Sequence, residues 1–171
     1  MTTTYPKIEL PPKSSWVLEA EKFPTSTIRL LKSELEHRYY NFGILPQKLF
    51  FASANKDGYF ELPAEKILSL EKKLTSEIAK QNSLFECTNR NNKGMELEKT
   101  GRIGEAVSIY EENIKPGCWP AMHSFDRLLV YYRANKDYEN ELRVCKRAVS
   151  VFKGIEKYNI RLEKIKVLIS K

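Results

Sequence analysis

The chain has 171 residues, 42% hydrophobic and 30% charged, with a formal net charge of +7, a balance that excludes wholesale disorder. Three widely spaced cysteines, Cys87, Cys118 and Cys145, form no Cys-x-x-Cys pair and exclude a disulfide framework or a structural zinc site. No run approaches the roughly 20 apolar residues of a membrane-spanning helix, and Met-Thr-Thr-Thr-Tyr-Pro is no signal peptide, so a cytoplasmic setting without a membrane is expected.

Residues 1–83 carry a net +2 and residues 84–171 a net +5, with the surplus gathered in Lys153, Lys157, Arg161, Lys164, Lys166 and Lys171. That keeps nucleic acid and acidic proteins open as partner classes.

In chain order, residues 1–23 read as an irregular arm, because Pro6, Pro11 and Pro12 break helices; Tyr5, Ile8, Trp16 and Val17 would pack as extended chain. A helix is predicted from Thr25 or Ser26, with Ile28, Leu31 and Leu35 on one face, fading at Tyr40 before Gly43. The aromatic runs Lys48-Leu-Phe-Phe-Ala and Gly58-Tyr-Phe-Glu-Leu flank Asn55-Lys-Asp-Gly and predict a β-hairpin. Pro63 then opens a helix whose stripe, Ile67, Leu70, Leu74 and Ile78, ends near Gln81-Asn82-Ser83. A winged-helix DNA reader would need two helices ahead of its hairpin, and one is visible. Residues 1–83 are therefore expected to form a small α+β cap segment.

From Leu84 every segment reads as helix, and the pattern repeats. Gly94-Met-Glu-Leu-Glu-Lys-Thr-Gly-Arg-Ile-Gly-Glu-Ala-Val-Ser-Ile-Tyr aligns without a gap on Leu129-Val-Tyr-Tyr-Arg-Ala-Asn-Lys-Asp-Tyr-Glu-Asn-Glu-Leu-Arg-Val-Cys, at an offset of 35 residues. Leu97 falls on Tyr132, Val107 on Leu142 and Tyr110 on Cys145. Lys99-Thr-Gly-Arg and Ala134-Asn-Lys-Asp supply polar turns, and Gly94 lets two helices approach closely. Beyond them Ile155, Tyr158, Leu162, Ile165 and Ile169 form the apolar face of a capping helix at 155–169.

Over about residues 84–153 this pattern resembles the tetratricopeptide repeat family, in a variant common in bacterial and phage-borne proteins. It departs from the family in its 35-residue offset, in Leu129 against Gly94, in Glu141 against Ala106, and in Asn113 against Ala148. The linker Lys115-Pro-Gly-Cys-Trp-Pro is also long. The fold class expected is mainly α: an α-α superhelix of two tetratricopeptide-like hairpins and a capping helix over residues 84–171, after the small α+β segment at 1–83.

The resemblance implies a non-enzymatic adaptor or scaffold that holds a peptide or protein partner. In the family the first helix of each hairpin lines the groove. By helical phase the partner-binding candidates are Asn91, Asn92, Met95 and Glu98, then His123, Asp126, Arg127, Val130 and Arg133, then Tyr158, Arg161 and Ile165. Met95, Tyr158 and Leu162 stand where chaperone-tail receptors of the family carry their clamp, which argues against that specificity. Arg127, Arg133 and Arg161 suit a carboxylate or phosphate, because a guanidinium fork pairs with either.

The alternative expectation is a nucleic-acid-binding accessory protein using Arg143, Lys146, Arg147, Lys153, Lys157, Lys164 and Lys166, with Arg161. Self-association through an exposed end of the array is the third. His37 and His123 read as surface and packing residues, with no metal-ligand cluster around them. No phosphate-binding glycine loop, nucleophile elbow or carboxylate pair is visible, so no catalytic residue, metal or cofactor is expected.

Overall fold

The structure is a computed structural model, described for residues 3–46, 49 and 54–170. It is mainly helical. Among the described residues there are seven helices, several in packed pairs, and a two-stranded antiparallel sheet near the N-terminus. In chain order these are α1 (Ser15–Lys22), β1 (Thr27–Leu31), α2 (Lys32–Tyr39), β2 (Tyr59–Pro63), α3 (Ala64–Lys99), α4 (Ile103–Asn113), α5 (Met122–Ala134), α6 (Tyr138–Val151) and α7 (Glu156–Ile169). A single 3-10 turn, Tyr40–Phe42, follows α2. The chain divides into two compact units, Ile8–Asn82 and a second that joins Ser83–Lys171 to the N-terminal segment ending at Lys7.

The unit Ile8–Asn82 departs from the sequence expectations in three places. Residues 15–22, expected to be irregular, are helix α1, with Trp16, Val17 and Ala20 buried. The prolines lie upstream of its start, where they terminate nothing. Residues 27–31, expected to be helical, are strand β1. Ile28 and Leu30 point inward and Thr27 and Arg29 outward, and this alternation prevails over the helical spacing of Ile28, Leu31 and Leu35. The partner decides between the two readings: β1 pairs with β2 in the register Ile28↔Leu62 and Leu30↔Phe60, which puts four apolar side chains on one face. Gly58-Tyr-Phe-Glu-Leu thus supplies a strand, but its partner is 27–31. Of the other expected strand, Lys48-Leu-Phe-Phe-Ala, all but Leu49 lies outside the described residues.

This core adds Leu35, Tyr39, Ile67, Leu70 and Leu74 to the sheet face, and each such burial stabilises by roughly 1.5–3 kcal/mol. One polar knot crosses it. Arg38 donates to both Glu71 carboxylate oxygens at 2.6 and 2.8 Å and to the Pro12 carbonyl at 2.7 Å. Burial alone would raise the Glu71 carboxyl, but the Arg38 and Tyr39 donors hold it below the usual carboxylate range.

The third departure is α3, which does not stop at Gln81-Asn82-Ser83 but runs to Lys99. Those three residues are polar yet break nothing. The first glycine in the helix is Gly94, and the left-handed residue that ends it is Gly101, at φ 76°.

The second unit stacks helices in sequence: α4 on α5, α5 on α6, α6 on α7. Leu97, Ala106, Tyr110, Phe125, Leu128, Leu129, Val144, Cys145, Ala148, Tyr158 and Ile165 make its core.

Candidate functional site

The site is framed by two helical hairpins, and their turns match bond for bond. In the first, Arg102 N–H donates to Leu97 C=O at 2.9 Å, Gly101 N–H to Glu98 C=O at 3.0 Å, and Thr100 N–H to Glu96 C=O at 3.2 Å. In the second, Asp137 donates to Tyr132 at 2.9 Å, Lys136 to Arg133 at 3.1 Å, and Asn135 to Tyr131 at 3.1 Å. Every partner is shifted by the 35 residues seen in the sequence. The left-handed residue falls at Gly101 in one turn and at Lys136, φ 57°, in the other.

The helices of the first hairpin approach closely because position 94 is glycine. A Cβ built there would lie 2.6 Å from Tyr110 Cζ and 2.9 Å from its hydroxyl oxygen. In the second hairpin the equivalent pair is Leu129 and Cys145, both fully buried. Bulk has changed sides.

The sequence departures become the buried polar groups. Asn113 donates through Nδ2 to Cys87 C=O at 3.1 Å, to Asn91 Oδ1 at 3.0 Å and to Ser124 Oγ at 3.1 Å, and so links α4 to α3 and α5. Ser124 donates in turn to Asn91 Oδ1 at 2.6 Å. Glu141, wholly buried, accepts from Arg133 Nε at 2.7 Å and from Arg161 Nε at 2.8 Å, and so links α6 to α5 and α7. A buried carboxylate flanked by two guanidinium groups is the arrangement that makes burial tolerable.

These links set the groove between α5 and α7, a space of about 580 Å³ lined by Val130, Arg133, Ala134, Lys157, Ile160, Arg161 and Lys164. Its apolar floor is open: Val130 is 51% and Ile160 48% exposed. Arg133 and Arg161 are aimed by Glu141, and Arg161 is further fixed by donating to Leu129 C=O at 2.6 Å. Lys157 bonds Asp126 at 2.7 Å. Lys164 forms no ion pair with any described residue, so the lining keeps a positive balance over Glu141 and Asp126.

The sequence candidates divide between this groove and other tasks. Val130, Arg133 and Arg161 meet in it, and Asp126 steadies Lys157 at its edge. Tyr158 is 1% exposed and donates to Asp126 at 3.0 Å; burial and that carboxylate raise its pKa. It supports the wall from within, and Ile165 is core as well. Arg127 pairs with Glu98 at 2.8 Å. His123 packs edge-on to Tyr110, with centroids 5.6 Å apart. Asn91 belongs to the Asn113 network, Met95 is half-buried, and Asn92 bonds the chain's own Thr3 carbonyl at 2.9 Å.

The residues named for nucleic acid are distributed too. Arg143 pairs with Glu111 at 2.7 Å, and Arg147 donates to the Ile114 carbonyl. Lys166 pairs with Glu163. Lys146 and Lys153 stay free of ion pairs among the described residues, while Lys157 and Lys164 line the groove.

Sequence reasoning missed Ala134, Lys157, Ile160 and Lys164 as groove residues and Glu141 as the organiser of its arginines. The last was marked, since a glutamate stands where the first hairpin has Ala106. Among the described residues no cluster of His, Cys, Asp or Glu is placed to hold a metal ion, and no helix is long and apolar enough to cross a membrane. No family model matches the chain, and neither a curated protein nor a solved structure matches it significantly.

Proposed function

We propose that Ser83–Lys171 is a non-enzymatic protein-interaction module of tetratricopeptide type, two hairpins over about residues 84–153 closed by a capping helix, and that it holds an acidic peptide segment. The observation that carries this is the groove between α5 and α7, where open Val130 and Ile160 lie among Arg133, Lys157, Arg161 and Lys164. Exposed aliphatic groups ringed by cations, three of them held by partners and Lys164 without an ion pair among the described residues, suit an aliphatic side chain flanked by carboxylates. The first contributes burial, and the second sets orientation and on-rate. Because Glu141 and the Leu129 carbonyl already hold the guanidinium groups, the partner orders them at little further cost.

The test is an array of peptides graded in Asp and Glu content, read with the wild-type chain and with Val130→Glu/Lys164→Glu. Both positions are exposed, so that variant keeps its core. Binding that rises with acidity and collapses in the variant supports the proposal; binding that is flat, or identical in the two proteins, ends it. A single-stranded oligonucleotide that bound at low salt with the same sensitivity would move the reading to nucleic acid.

A further inference from the structure

A second surface of the same unit already holds a stretch of main chain that lies in no helix or strand: residues 3–5 of the chain itself. Phe85, Asn89 and Asn92 of α3 are spaced by four and three residues and share one helix face. Asn89 Oδ1 accepts the N–H of Tyr5 at 2.8 Å, and its Nδ2 donates to the carbonyl of the same residue at 2.8 Å. Asn92 Nδ2 donates to the Thr3 carbonyl at 2.9 Å. The Tyr5 ring stacks on Phe85, with centroids 5.0 Å apart and planes at 22°. Asparagine is the shortest side chain that carries its acceptor and its donor on two separate atoms of one planar amide, so one residue can satisfy both main-chain groups of an extended partner. Asn82 treats Ile8 in the same way within the other unit, accepting at 2.7 Å and donating at 2.8 Å.

We propose that the Phe85–Asn89–Asn92 face is a peptide-binding strip that reads an extended main chain with an aromatic side chain, and that Thr3–Tyr5 is its resident occupant, exchangeable for a partner's segment of the same kind. Main-chain bonds supply affinity without regard to sequence, and the Phe85 ring selects the aromatic. Exchange is feasible because the arm is lightly held: its bonds to Asn89 and Asn92 are exposed, Tyr5 is 39% exposed, and Thr3 and Tyr5 make no helix or sheet bonds. The strip is independent of the α5/α7 groove and shares no residue with it.

A tethered occupant competes with a free one, so loosening the arm must improve binding in trans. The probe is a dye-labelled peptide with the sequence of residues 2–7, titrated into the full-length chain. Tyr5→Ala is expected to bind it at least about tenfold more tightly than wild type, and Asn89→Ala added to Tyr5→Ala to remove that gain. Replacing the peptide's own tyrosine by alanine should abolish binding. Equal affinity for Tyr5→Ala with and without Asn89→Ala, or no binding to folded Tyr5→Ala at about 1 mM peptide, overturns the proposal. An Asn89-dependent dimer of the wild-type chain would overturn the partner assignment in favour of a second copy.

Discussion

The two hairpins of the C-terminal unit share the geometry of their turns and differ in what packs between their helices. Their turns use equivalent hydrogen bonds and place a left-handed residue at equivalent positions, yet only one of those residues is glycine. Inside, the first hairpin sets nothing at position 94 against Tyr110, and the second sets Leu129 against Cys145. Each hairpin also carries one buried polar side chain on its second helix, Asn113 in one and Glu141 in the other, at positions two helical turns apart in the alignment. Both join their own first helix to the first helix that follows. The lesson is that the repeat lies in the turn geometry, while each junction is individually keyed: an amide network joins α3, α4 and α5, and an ion-pair network joins α5, α6 and α7.

The volume exchange gives the largest expected effect. Gly94→Leu, the residue of the second hairpin, should overpack against Tyr110 and lower stability by about 3 kcal/mol in a denaturant titration. Gly94→Leu with Tyr110→Cys should recover most of the loss; failure to recover would mean that the hairpins do not pack equivalently. Next comes the ion-pair junction. Arg161→Leu leaves Glu141 buried with one partner and should cost about 2–3 kcal/mol, while adding Glu141→Ala should give some of it back by removing the stranded charge. A double variant worse than the single one would deny that Arg161 serves Glu141.

Alkaline pH probes the close approach at position 94 through Tyr110, beside a parallel loss through Tyr132 of the second hairpin, whose pKa burial and Glu111 also raise. Burial, with Glu98 nearby, pushes the Tyr110 hydroxyl up to about 12. A folded pKa above the unfolded value near 10 gives stability that is full below pH 10 and is lost as pH rises towards 12. Tyr110→Phe should therefore flatten part of the decline between pH 10 and 12, and at pH 7 should cost no more than about 1 kcal/mol for the hydroxyl's lost interaction with Glu98. The smallest effect is expected from Asn113→Ala, the residue of the second hairpin. It removes an Nδ2 whose two hydrogens are shared among three acceptors, but also a buried, unpartnered Oδ1, for a net cost of about 1 kcal/mol by thermal unfolding.

How much of this was legible depended on where the partner of each residue lay. The 35-residue offset needs only residues near in sequence, and Gly94, Gly101 and the polar turns announce themselves. Strand β1 did not, because Ile28, Leu30, Leu31 and Leu35 satisfy either period, and the choice is made by β2, some 30 residues later. For α1, the proline-rich stretch before it misled, since proline stops a helix it sits in and not one that starts after it. In the groove, Val130, Arg133 and Arg161 follow from helical phase. Their anchor Glu141 showed only as a departure from the pattern, with nothing to say that it was buried. The hold of Asn89 and Asn92 on the N-terminal segment spans more than 80 residues and leaves no periodic trace.

The central claim is that the groove between α5 and α7 receives an acidic segment, and a nuclear magnetic resonance titration tests it most directly. The ligand is a short acidic peptide with one leucine, added to the wild-type chain at low salt. Shifts concentrated on the methyl groups of Val130 and Ile160, with matching changes at Arg161 and Lys164 and none in Val130→Glu/Lys164→Glu, are the expected result. Saturating shifts that fall elsewhere on the chain, or no shifts at any peptide concentration, would contradict it.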